Sequence, residues 1–212
     1  MKSGAKRWNG LLVAVMVLVT VDVLADGPLR RLDHIVHEFC DGHIQGASLT
    51  AVDVFTKLGQ RGVLVAVMVP LALIAAARTR SWRLPLMSAV IVGGVSLLQV
   101  VLKAAIPRTY PISETDVLFR RGDAFPSGHT LNAFVLVWVL LELLVVAFPR
   151  VRLPPRRRHH IAVTAGMVVA VALTLTDKHW LTDCVFSVAL GLVLLRSLSA
   201  MDPLRLHGRR PA

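Results

Sequence analysis

His179 and Asp183 are the residues of this chain best suited to covalent chemistry. Their i, i+4 spacing stacks them on one face of a helix. A carboxylate that close can fix the imidazole tautomer and raise its basicity, as the third group does in a nucleophilic triad. Such pairs are also common as plain structural contacts, so this one alone decides nothing. His129 belongs to a second cluster, Phe125–Thr130 (FPSGHT). There Pro126 is expected in the first turn of a helix, and Gly128 leaves the backbone unobstructed. Free N–H groups at a helix start bind anions such as phosphate. Ser127 adds a hydroxyl donor and His129 a titratable group. A third cluster, Lys103–Pro111 (KAAIPRTYP), contributes Lys103 and Arg108, with Arg120, Arg121 and Lys178 nearby in sequence. Fixed cations and backbone donors suit the spread charge of a transferring phosphoryl group. No carboxylate cluster with metal-ligand spacing accompanies them, so the expected chemistry rests on Lys and Arg, with no metal ion.

These clusters need elements that bring them together, and the composition says which. The chain has 212 residues, is 55% hydrophobic and carries a formal net charge of +11; its mean hydropathy is +0.64. That much apolar surface implies an all-α, polytopic membrane protein. Six spans can be read, roughly 8–25, 62–77, 84–102, 126–148, 161–176 and 181–199. The second and fifth are short for a bilayer and must extend into flanking residues or pack inside the bundle. The first follows a short basic segment without a small-residue cleavage site, and reads as a retained anchor. There is no internal repeat, low-complexity tract or second domain, so residues 1–212 read as one membrane domain.

Fifteen of the 24 Lys and Arg residues fall on the side of the bundle that holds both termini. The positive-inside rule then puts both termini in the cytoplasm. All three clusters lie at the opposite, extracytoplasmic ends of their spans, where ionisable groups usually serve function. The net charge reads as orientation plus attraction to anionic lipid. Nucleic acid is a poor partner, because the run at 152–160 (RLPPRRRHH) is one short inter-span loop.

Between the first two spans, Leu29, Leu32, Ile35, Val36 and Phe39 recur at helical spacing among charged residues. They predict an amphipathic helix lying at the outer face. A second short helix is expected through Ser48–Leu58, ended by Gly59. His34, His37, Cys40 and His43 recur every three residues, a spacing that drifts by about 60° per step on a helix. A polar face over the site is the expectation there, ahead of a zinc site. Cys184 reads as a small core residue, and Glu142 as the partner of a loop arginine. Asp22 is expected beside the site or among the headgroups, and Trp8, Trp82 and Trp180 as interface anchors.

KAAIPRTYP, FPSGHT and HWLTD, in that order on six spans, resemble the three signature motifs of the type-2 phosphatidic acid phosphatase superfamily. The resemblance covers about Lys103 to Asp183. It implies that His179 is a nucleophile forming a phosphohistidine, that Asp183 orients it and that His129 protonates the leaving group. It further implies that Lys103, Ser127 and Gly128 hold the phosphate, with neither metal nor cofactor. The first and third motifs depart from the pattern. Tyr110 and Leu173 stand where the family carries arginines, and Ala172 where it carries serine. Arg108 lies two residues before the first of those positions, and it and Lys178, Arg120 or Arg121 are the candidates to supply the missing charge. Arg108, Lys178 and Arg121 join Lys103, Ser127 and Gly128 as the expected substrate-binding residues. The function implied is hydrolysis of a lipid phosphate or diphosphate. Transfer of the phosphoryl group to an alcohol, or a non-catalytic lipid-binding descendant, are the alternatives.

Overall fold

The computed structural model describes residues 2–120 and 122–204 of the chain. Arg121, one of the cations named above, therefore lies outside the described residues. Among the described residues eight α-helices follow one another: α1 (Lys2–Leu24), α2 (Pro28–His43), α3 (Gly46–Thr56), α4 (Arg61–Thr79), α5 (Arg83–Ala105), α6 (Gly128–Ala147), α7 (Pro155–Leu175) and α8 (Leu181–Met201). All but α2 and α3 are long and apolar enough to cross a membrane, as the sequence pattern required. The two short spans do extend. The second becomes the 19 residues of α4 and the fifth the 21 of α7, which starts inside the basic loop. Pro155 opens α7 because its missing N–H would have been unsatisfied at that position anyway.

α6 is the most enclosed of the spans, packed by α4, α5, α7 and α8. Its apolar residues point all round the helix, as expected of a span surrounded by other helices. Phe134, Leu136, Trp138, Val139 and Leu143 form the main core with Leu64, Met68 and Leu71 of α4. At Gly166 of α7 a Cβ would come within 2.3 Å of the Phe134 ring. Glycine there lets the two helices approach.

α2 turns an unexpected face inward. Leu32, Ile35 and Phe39 are exposed, whereas Asp33 and Cys40 are buried against the bundle. The amphipathic helix is confirmed, but its polar stripe is what packs inward. α3 ends two residues before the expected stop, and a 3₁₀ turn over Lys57–Gly59 completes it. Asp22 Oδ1 accepts from the Arg30 backbone N–H at 2.9 Å, capping the start of α2. Cys184 is buried. At the bundle end away from the three clusters, Glu142 pairs with Arg158 at 3.0 Å, as its position within an apolar helix demanded. Trp8 and Trp82 are exposed, whereas Trp180 is not. Its indole donates to the Thr109 carbonyl at 2.8 Å, which makes it part of the site's framework.

Candidate active site

A cavity of about 560 Å³ opens where α5 ends and α4, α6 and α8 begin. Lys103, Gly128, His129, Lys178 and His179 lie on its wall, so all three sequence clusters contribute to one space.

His179 is held by the turn between α7 and α8. The N–H groups of Lys178 and His179 both donate to the Leu173 carbonyl, at 3.0 and 3.3 Å. His179 Nδ1 lies 3.4 Å from Asp183 Oδ2. That oxygen also accepts the Trp180 backbone N–H at 3.1 Å, so Asp183 caps the first turn of its own helix. Contact with the carboxylate favours a proton on Nδ1 and leaves the Nε2 lone pair for the cavity. The Tyr110 ring meets the imidazole edge-on, with centroids 5.3 Å apart.

Behind this pair sits Arg108, fully buried and off the cavity wall. It was expected to meet substrate; instead it is the hub of an ion network. Nη1 donates to Asp183 Oδ1 at 2.9 Å and to Thr182 Oγ1 at 2.7 Å. Nη2 reaches Asp33 at 2.7 Å and Asp116 at 2.6 Å, while Nε donates to Asp116 at 2.8 Å. The Trp180 ring stacks against the guanidinium, 5.1 Å from Cζ to centroid. Burial works against its charge, yet the carboxylates of Asp116, Asp183 and Asp33 hold its pKa above the ordinary value. Asp33 comes from α2 and also accepts the Thr182 backbone N–H at 2.8 Å. Asp33, one of the two buried residues of α2, thus completes this network.

The start of α6 also differs from expectation. Gly128 is its first residue and Ser127 its N-cap, so Pro126 lies outside the helix. The Ser127 side chain is fully buried and its Oγ accepts from Thr130 N and Oγ1, at 3.4 and 3.0 Å. Its hydroxyl serves the cap and does not line the cavity; Gly128 and His129 do. Lys103 and Tyr110 both bond to Asp123, the tyrosine hydroxyl at 2.7 Å. Lys178 reaches the cavity but bonds to Asp53 of α3, and that bond holds the Asp53 carboxyl below its usual range. His37 lies 3.0 Å from the Asp177 carboxylate, and the His34 ring meets Trp180 at a tilt of 55°. Among the described residues no group of His, Cys, Asp or Glu is arranged to hold a metal ion.

Sequence reasoning missed Arg61, Gln99 and Asn132, which also line the cavity. Arg61 Nη2 donates to Gln99 Oε1, Gln99 Nε2 donates to Asn132 Oδ1 at 2.9 Å, and Asn132 Nδ2 donates to the Gly59 carbonyl at 3.2 Å. A signal was present: Gln99 stands four residues before Lys103 and Asn132 three after His129, on the same helix faces. Gly59 seals the arrangement, because a Cβ there would lie 2.3 Å from the His129 carbonyl oxygen.

A family model described as the PAP2 superfamily matches residues 80–205. The fold is similar to the crystal structure of a transmembrane PAP2-type phosphatidylglycerolphosphate phosphatase from Bacillus subtilis. The TM-score is 0.75 at 22% sequence identity, covering 93% of this chain and 98% of the other. No curated protein matches.

Proposed function

The chain belongs to the PAP2 superfamily, and on that premise we propose that it is an integral membrane lipid phosphatase. It removes phosphate from a lipid phosphate or diphosphate on the extracytoplasmic face, through a phosphohistidine on His179. One observation carries the reading: His179 stands on the wall of a cationic cavity with Nδ1 turned to the buried Asp183 carboxylate.

In the first step the Nε2 lone pair attacks the terminal phosphorus, the N–P bond forms and the bond to the leaving oxygen breaks, that of the lipid alcohol or, in a diphosphate, of the lipid monophosphate. His129 gives its proton to that departing oxygen. In the second step His129 takes a proton from water, whose oxygen attacks phosphorus and releases inorganic phosphate from Nε2. Lys103 and the N–H groups at the start of α6 balance the developing charge. Asp183 keeps the ring oriented and stabilises it as positive charge builds. The Lys/Arg asymmetry supports the extracytoplasmic assignment, since the cavity lies at the end poorer in basic residues.

The test is phosphate release by purified protein from a panel of isoprenyl diphosphates, phosphatidate and phosphatidylglycerophosphate, with EDTA present. His179→Ala should abolish release while the protein keeps its wild-type melting behaviour. Normal release by that variant would sink the mechanism. Release that depends on an added alcohol acceptor would identify a phosphotransferase instead.

A further inference from the structure

We propose that Arg61, at the first turn of α4, is a phosphate-binding residue of this site. It supplies the guanidinium that Tyr110 and Leu173 cannot. The inference rests on the phosphatase reading for its substrate, but its own evidence is independent.

Among the described residues three cationic side chains reach the cavity wall: Arg61, Lys103 and Lys178. Lys103 is already engaged by Asp123, and Lys178 by Asp53. Among the described residues Arg61 alone of the three has no carboxylate partner. Its Nε–H is buried with no hydrogen-bond partner. A guanidinium carries five N–H donors in a planar fork, and here the protein engages only Nη2. A buried charged donor without a partner is costly and calls for an anion.

The side chain is also held in place. Gln99 must offer Arg61 its oxygen, because its nitrogen is committed to Asn132, whose own nitrogen is committed to the Gly59 carbonyl. Gly59 lies two residues before Arg61, so the chain of bonds closes on itself through α5 and α6. Each amide is oriented by the next, and the guanidinium is fixed at the mouth of α6. The Gln99 oxygen that receives Arg61 lies 3.1 Å from where a Gly128 Cβ would be. The arginine therefore shares its place with the free N–H groups of that helix start, both suited to phosphoryl oxygens. Leu173 and Tyr110 line the same cavity and offer no positive charge.

The experiment measures binding of inorganic phosphate to the full-length protein in detergent, by calorimetry and by phosphate-dependent melting. Arg61→Ala should weaken phosphate binding about tenfold or more, as loss of a hydrogen bond to a charged group does. KM for the lipid phosphate should rise in proportion. Arg61→Lys should fall between, since a point charge cannot form the fork. Arg157→Ala, an exposed arginine at the far end of the bundle, should bind as wild type. Should Arg61→Ala fold poorly, Arg61→Gln keeps a donor for Gln99 without the charge and should show the same loss. Wild-type phosphate affinity in a folded Arg61→Ala or Arg61→Gln protein overturns the proposal, as does a wild-type protein with no phosphate-dependent response. Arg61-dependent phosphate binding in a protein that hydrolyses none of the lipid panel would leave Arg61 assigned and remove the phosphatase reading.

Discussion

Arg108 Nη1 and Asp183 Oδ1 meet at 2.9 Å with both side chains fully buried. The carboxylate thus divides its two oxygens, one turned to His179 and the other to the guanidinium. The arginine holds the group that holds the histidine. It is a positioning residue, one layer removed from the cavity, and it draws Asp33, Asp116 and Asp183 from three separate stretches of chain to one point.

Replacing Arg108 by methionine should therefore cost far more than a lost surface charge. Three buried carboxylates would be left without their shared cation, and breaking such a pair costs about 3–5 kcal/mol. The expected readout is a large fall in melting temperature in detergent, with phosphate release reduced along with it. Arg108→Lys should recover little, because an ammonium cannot span three carboxylates and stack on Trp180. A methionine variant melting at the wild-type temperature would show that the network contributes nothing net.

Gly59 should tolerate no side chain. A valine there would push the turn before α4 away from the His129 carbonyl and strain the bond from Asn132. Overpacking of this kind costs about 1–3 kcal/mol. Gly93, where a Cβ would meet nothing within 4 Å, offers the contrast, and Gly93→Ala should melt as wild type. Equal effects at the two positions would contradict the packing argument.

Acid should weaken the Asp116 arm of the Arg108 network only at low pH. Burial raises the Asp116 carboxyl, but hydrogen bonds from Arg108 and Arg30 outweigh it and hold the group below its usual range. A depressed folded-state value means that its contribution is complete above the unfolded value of about 4. It is lost as pH falls through the lower folded value. For this group the melting temperature should be flat between about pH 8 and 5, and Asp116→Asn should make the decline below that shallower. A decline that is the same in both proteins would remove Asp116 as its cause.

Much of this was legible in the chain because the bilayer imposes simple rules. Apolar runs gave the six spans, and counting them brought His129, His179 and Lys103 to one end. What escaped was the direction in which polar side chains point. Arg108 and Ser127 both sat in the right segments, yet one turned inward to carboxylates and the other into its own helix cap. The arginine's main partners are not encoded by local spacing, since Asp33 is 75 residues from Arg108. The serine's partner, Thr130, is three residues on, but the same spacing also suits a hydroxyl that faces a ligand. Arg61 escaped for a related reason. It stands just before an apolar run, where an arginine reads as a flank of the helix, and only its bond to Gln99 reveals that it turns toward the cavity.

Asp123 bears on how this site would receive an anion. Its carboxylate engages both Lys103 and Tyr110, and its side chain is 63% exposed, free to swing into solvent. A phosphate that takes Lys103 must first evict a tenant of the same sign. Substrate affinity is then a contest between two anions for one ammonium, won only by the ligand with more charge and more oxygens to offer.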